Sequence, residues 1–289
     1  MRRPPAAAAR VTAALVFALM AVLAKAAAHR IPGPEVAFVR FAVGIVAFAI
    51  ASRRIRMRAN NKLGLVLRGA YGGAAVLLYF LAIAHLPVGI ATLLNYTAPV
   101  FTAIYAALFL GEAVTPATVA ALCLTTAGVA LVISGTAPPG SFGIGPWQLT
   151  GVGSAMLSGA AVATIREVRR TDGSWEIFAA FCIAGAAITG PPALAAWVRP
   201  DAAEWALLLG VGLSSLVAQL LMTHALRYVR AAVGGVIAQL TPVASLAVGW
   251  GLYGDRLGGL ALGGAALTLA GVSLGTYLAA GRPADEVGD

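Results

Sequence analysis

The sequence predicts an all-α integral membrane protein, with ten transmembrane helices arranged as two inverted five-helix repeats. Three observations carry that expectation. Of the 289 residues, 60% are hydrophobic and only 11% charged, whereas soluble domains are roughly half apolar and about a quarter charged; mean hydropathy is +0.88. The apolar residues fall into long runs close to the ~20 residues that a helix needs to cross a bilayer, without the period-two alternation of a barrel strand. Finally, one run has a counterpart in the other half of the chain at a constant offset.

Taken in order, the runs cover residues 11–28, 34–52, 63–84, 88–110, 116–135, 147–165, 177–198, 203–226, 231–253 and 258–280. The opening MRRPPAAAARVTAALVFALM is basic and then apolar, like a signal peptide. Its apolar run continues to Ala28 and is followed by many similar runs, which favours an uncleaved first helix. Runs three and four are joined by His85, Leu86 and Pro87, too few residues for an extramembrane domain. The Pro- and Gly-rich TAPPGSFGIGPW reads as loop and divides the chain nearly in half. The expected organisation is therefore a first repeat at 1–137, a connector at 138–146 and a second repeat at 147–289.

The net charge of +9 sits in short separators rather than along a helical face, as at Arg53, Arg54, Arg56, Arg58 and Lys62. That pattern fits topology determinants facing anionic membrane lipids, not a nucleic-acid patch. With the N-terminus on one side, that side collects Arg2, Arg3, Arg10, the 53–62 cluster, Arg166, Arg169, Arg170, Arg227, Arg230 and Arg282. The other side holds Arg30, Arg199 and Arg256, with Lys25 near the boundary. A multi-pass protein of the inner or plasma membrane with both termini cytoplasmic is expected. Cys123 and Cys182 lie inside apolar runs, so neither a disulfide framework nor a metal site is expected, and no cofactor is called for.

The repeat emerges from comparing AIAHLPVGIATLLNYTAPVFTAIYAALFLGE with ALRYVRAAVGGVIAQLTPVASLAVGWGLYGD. Ala82 and Ala225, Pro99 and Pro242, Val100 and Val243, Gly111 and Gly254, and Glu112 and Asp255 are all 143 residues apart, without a gap. Five spans per half is an odd number, so the second half enters the membrane from the opposite side. Inverted repeats of this kind recur in secondary transporters, where equivalent halves exchange inward-open and outward-open arrangements around one site.

With these residues, the chain resembles the drug/metabolite transporter superfamily, specifically the EamA-type permeases that include the YddG-like amino-acid exporters. The resemblance is carried by Ala82–Pro87, Pro99-Val100 and 110–112 in the first half, and by 225–228, Pro242-Val243 and Gly254-Asp255 in the second. Lys25 and the Pro34…Arg40 pairing add to it, and it covers nearly the whole chain. Two positions depart from the pattern: Phe17-Ala18 replaces the early Trp-Gly pair, and Asp255 stands where the second-half acid is usually Glu. The resemblance implies transport of a metabolite, but the family's substrates are diverse and it does not name one.

Among candidate functional residues, Pro99 and Pro242 each remove a backbone donor and are expected to bend their helices as conformational hinges. Thr92, Asn95, Pro99 and Thr102 form one polar stripe beside Tyr96, and Gly235, Gln239, Pro242, Ser245 and Gly249 form its counterpart. Unsatisfied amides are costly in hydrocarbon, so both stripes should face the interior, in substrate contact or in interhelical hydrogen bonds. Tyr71 and Tyr79 share a face in run three, and Gln219 lies in the matching stretch of run eight. Substrate contact is accordingly assigned to Lys25, Tyr71, Tyr79, Asn95, Tyr96, Gln219 and Gln239. Lys25 and Arg40 are the cations nearest the apolar interior of the first half; either could meet a substrate carboxylate, unless Lys25 snorkels or Glu35 neutralises Arg40. His85 and His224 are expected to be structural, and Gly259, Gly263, Gly271 and Gly275 to mediate helix packing, within a monomer or across a homodimer.

The G-x-x-x-x-G-K-[ST] phosphate loop is absent, as are H-E-x-x-H and G-x-S-x-G, so neither ATP coupling nor an intramembrane enzyme is expected. No ring of charges marks a channel filter. The expected function is a secondary active transporter that exports or exchanges a small metabolite by alternating access. An interior with hydroxyls, amides and rings but few acids favours amino acids; the alternative is a broad exporter of lipophilic cations.

Overall fold

The computed structural model of the protein describes residues 6–52, 59–110, 116–136, 145–168, 170–225 and 238–279. Its elements are α1 (Ala6–Ala27), α2 (Gly33–Ser52), α3 (Lys62–His85), α4 (Val88–Asn95), α5 (Ala98–Leu110) and α6 (Pro116–Thr136). These are followed by α7 (Pro146–Val168), α8 (Ser174–Ala195), α9 (Ala202–Ala225), α10 (Leu240–Tyr253) and α11 (Gly259–Ala279). Every regular element among the described residues is helical, as a chain of long apolar runs requires. Helices α2, α3, α7, α8 and α9 are long and apolar enough to cross a membrane, and the other expected spans fall on shorter apolar helices. The cluster at 53–58, Arg2, Arg3, Glu112, Arg169, Arg227, Tyr228, Arg230, Gly235 and Arg282 lie outside the described residues, as does most of the connector.

Run four is not one bent helix but two. Helix α4 stops at Asn95, Tyr96 and Thr97 form a turn, and α5 begins at Ala98. Pro99 has no N–H for the carbonyl of Asn95, and the Val100 N–H bonds instead to the carbonyl of Thr97 at 2.9 Å. Pro99 thus sits in the first turn of α5, where its missing donor costs least. In the second half Gln239 is a turn residue just before α10, and Pro242 lies in that helix's first turn. The expected bend at Pro99 is therefore a break, and a turn residue, Gln239, stands at the position equivalent to Tyr96.

Helix pairing is reciprocal between the halves. The α3–α7 contact is matched by α1–α9, α3–α8 by α2–α9, and α5–α7 by α1–α10, while α2–α8 and α6–α11 pair across the middle and α4 packs on α10. Small residues set these approaches. A Cβ on Gly73 would lie 2.7 Å from the Cα of Gly185, and one on Gly69 would lie 2.6 Å from the carbonyl of Ala180, so α3 and α8 meet backbone to backbone. In α11 Gly271 packs on α6 as expected and is joined by Gly264, whereas nothing lies within 4 Å of Gly259 or Gly263.

Two polar clasps close opposite ends of α2. Near its start, Arg30 pairs with Glu204 and donates to the Arg199 carbonyl at 2.9 Å. Asp201 and Glu204 cap α9 reciprocally, each carboxylate accepting the other's backbone N–H at 2.8 Å. Beyond the far end, the Asp172 carboxylate accepts the Thr171 hydroxyl at 2.6 Å and the N–H groups of Asn60 and Asn61 at 2.7 and 2.9 Å. The Thr171 hydroxyl, more than the two N–H groups, holds the Asp172 carboxyl below its ordinary range. Because folding lowers this pKa, the contribution is complete above the unfolded value of about 3.9 and is lost as pH falls through the folded value. Asp172→Asn is expected to lower the thermal midpoint in detergent at pH 7, with the gap to wild type closing below about pH 4.

Candidate functional site

The first polar layer joins α3, α4 and α7. The Tyr79 hydroxyl lies 2.9 Å from that of Thr92, which donates to the Val88 carbonyl at 2.7 Å. One turn further along α4, the Asn95 amide donates to the Ser154 hydroxyl at 2.5 Å, with Ser158 at 3.5 Å. Ser154 in turn donates to the Ala75 carbonyl at 2.8 Å. Thr92 and Ser154 are fully buried and Asn95 is partly exposed. Asn95 therefore occupies the last residue before the helix break, tied to α7 on one edge and open on another. Tyr96 follows in the turn and Tyr71 stands two turns below Tyr79, both half-buried.

A second cluster lies between α2, α8 and α9, around a small recess whose lining includes Arg40, Phe181, Cys182, Ser215 and Gln219. The structure thus brings Gln219 together with Arg40, not with Asn95. The Arg40 Nε donates to the Ser215 hydroxyl at 2.6 Å, and its guanidinium lies 5.1 and 5.5 Å from the ring centres of Phe41 and Phe181. Glu35 does not neutralise it: that carboxylate accepts the Val198 N–H at 3.0 Å instead. The structure adds a cation that the sequence reading overlooked. Arg68 of α3 is 7% exposed, and its guanidinium stands 4.4 Å from the centre of the same Phe181 ring. An arginine inside LGLVLRGAYGG was the available signal, because an ionisable group within a span marks a functional candidate by default. Neither arginine forms an ion pair with a described residue.

The third cluster joins α1 to α10. Gln239 is buried with its amide nitrogen unpartnered, and Ser245 is buried with its hydroxyl unpartnered. Thr241 donates to the Ala14 carbonyl at 3.0 Å and Tyr253 to the Val22 carbonyl at 2.8 Å, which fixes α10 along α1. Lys25 turns toward α3. Its ammonium donates to the carbonyls of Ile83 at 3.0 Å and Leu86 at 2.9 Å, with Ala84 at 3.4 Å. These are carbonyls left without helical partners at a C-terminus, where the helix dipole also favours a cation. Lys25→Met should destabilise the protein by about 1.5–3 kcal/mol, the usual worth of hydrogen bonds to a charged group. Lys25→Arg should recover most of it, as read by thermal unfolding in detergent.

Comparison with known proteins agrees with this architecture. Two pseudopaline exporters CntI, from Pseudomonas aeruginosa strains UCBPP-PA14 and PAO1, are each 27% identical over 260 residues, covering 89% of this chain and 90% of theirs. An uncharacterized transporter from Archaeoglobus fulgidus is 28% identical over 240 residues, covering 82% of this chain and 84% of its own. One solved crystal structure superposes over 95% of this chain and 97% of its own with a TM-score of 0.64 at 23% identity, a likeness of fold. The EamA-like transporter family profile matches twice, at residues 5–134 and 145–277. The chain belongs to the EamA-like transporter family.

Proposed function

We propose that the protein is a secondary transporter that exports or exchanges a small metabolite by alternating access, with amino acids as the expected class. In this reading it has ten spans in two inverted halves, 1–137 and 147–289, both termini are cytoplasmic in the inner or plasma membrane, and it works as a monomer or homodimer. The observation that carries it is the meeting of the two halves beside equivalent prolines: α4, which ends at the turn before Pro99, packs on α10, which follows the Gln239 turn before Pro242, and the surrounding pairings are reciprocal. Discontinuous helices are where transporters of this design build their sites. The pseudopaline exporters at 27% identity support an exported metabolite.

The substrate path is assigned to Tyr79, Asn95, Tyr96, Gln219 and Gln239, with Tyr71 and Lys25 at its margins and Pro99 and Pro242 at the moving joints. Asn95 adjoins one turn and Gln239 stands in the other, where a change of backbone angle moves them most. Two buried guanidiniums count against a lipophilic-cation cargo, since like charges repel in a medium of low dielectric.

Counterflow in proteoliposomes with labelled amino acids, nucleosides and organic cations tests the proposal. Saturable exchange of at least one amino acid is expected; flux that never saturates would indicate a channel, and no exchange of any amino acid would refute the substrate class. Asn95→Ala is expected to slow exchange roughly five- to tenfold, equivalent to one neutral hydrogen bond of about 1 kcal/mol. Pro99→Ala, which lets the Asn95 carbonyl regain a helical partner, should slow exchange at unchanged half-saturating concentration.

A further inference from the structure

We infer that Arg40 and Arg68 form a buried anion site that receives a carboxylate group of a small organic solute. Calling that solute the cargo rests on the transport reading above; the site itself does not.

Both side chains are more than nine-tenths buried, Arg40 near the middle of α2 and Arg68 in the first half of α3. Removing a guanidinium from water is expensive unless an anion and a full set of acceptors replace the water. Here the replacement is incomplete. Arg40 has one neutral acceptor, Ser215, and its Nη1 is buried with no partner. Arg68 keeps both Nε and Nη1 buried without partners. The Phe181 ring serves two cations and returns only part of what desolvation costs. The two positive charges also repel each other. Two arginines that meet no carboxylate among the described residues, in segments otherwise built largely of apolar side chains, describe one half of a salt bridge.

The surroundings make this a built site. Glycine at 72 leaves the space that Arg68 uses, since a Cβ there would come within 2.8 Å of the Phe181 ring and would also strike the guanidinium. Glycine at 185 likewise leaves room for the Phe41 ring. The recess beside Arg40 offers the Ser215 hydroxyl and the Gln219 side chain on one wall and Phe41, Phe178 and Phe181 on another. That mixture suits an amphipathic organic anion better than a bare halide. A planar guanidinium with free donors matches a carboxylate bidentately. A lipid phosphate would have to leave the interface and enter between α2, α8 and α9, so a soluble carboxylate is the better occupant.

Thermal unfolding of the full chain in detergent tests this with succinate, citrate and glutamate as probes. Succinamide, potassium chloride at matched ionic strength and added phosphatidylglycerol are the comparison arms. A saturable upward shift of several degrees is expected with at least one carboxylate and not with the amide or chloride. Arg40→Met and Arg68→Met are each expected to raise the midpoint of the unliganded protein, because an uncompensated buried charge is removed, and to abolish the carboxylate shift. Ser215→Ala, which leaves both charges in place, should retain the shift at a several-fold higher concentration. Equal shifts with chloride or phosphatidylglycerol, no saturable shift with any of the three carboxylates, or arginine variants that unfold earlier while Ser215→Ala responds like wild type would overturn the site. Carboxylate binding without counterflow refutes transport and leaves the site standing. Saturable transport indifferent to a cargo carboxylate and to Arg40→Met does the reverse.

Discussion

Hydrocarbon supplies no hydrogen bonds, so every backbone amide and carbonyl of a spanning segment must find its partner within the protein. That constraint explains why every regular element described here is a helix, and why the two places where the helix lapses are informative. At Tyr96–Thr97 the ladder is rebuilt by shorter bonds, Thr97 N–H to the Leu94 carbonyl at 3.2 Å and Val100 N–H to that of Thr97 at 2.9 Å. The Thr97 hydroxyl adds a bond to the Leu94 carbonyl at 2.7 Å. Neighbouring residues are buried, with Leu93 and Leu94 part of the main core cluster. A break is tolerated because it is packed in protein, and its local cost is small because the proline falls in a first turn.

Close approach of the helices is the other requirement, and it rests on glycine rather than on large apolar side chains. Lipid tails are as apolar as leucine, so association depends on contact and on internal hydrogen bonds. The glycines of α3 and α8 bring those backbones together and leave gaps filled by Phe41, Phe181 and Arg68. The packing that holds the bundle therefore also makes the space in which charge is buried. At the bundle ends, the Arg30–Glu204 and Asp172–Asn61 clasps tie loops of one half to helix starts of the other.

The long apolar runs made the helices legible, since length and composition act residue by residue. The character of the break was not legible, because a proline within a run reads the same whether the helix bends or restarts; the deciding bonds are those of Thr97 and Val100. The glycine face of α11 was legible only in part for a related reason. Glycines occupy several faces of that helix, and only the position of α6 selects Gly264 beside the expected Gly271 over Gly259 and Gly263. Lys25 was correctly placed at the edge of the apolar interior, but its partners are backbone carbonyls of α3, invisible to any pattern of side chains. Arg68 escaped because it follows a basic cluster at a span's edge; its burial comes from α8, more than a hundred residues away.

The repeat offset separates what the two halves share from what they do not. Helix pairings, the turn residues before α5 and α10, and the prolines that follow them are common to both. The buried charge is not. The residues 143 positions beyond Arg40 and Arg68 are Ile183 and Val211, one exposed and apolar, the other fully buried. Symmetry can equalise the energies of two conformations, but a site with equal halves would present equal chemistry to each side of its ligand. Both guanidiniums lie in one half, so the buried charge gives the interior a direction; in the proposed transporter this would hold a solute with one charged and one apolar end in a single orientation. On that proposal Asn95, in the same half and adjoining the break, would couple backbone motion to the oriented cargo.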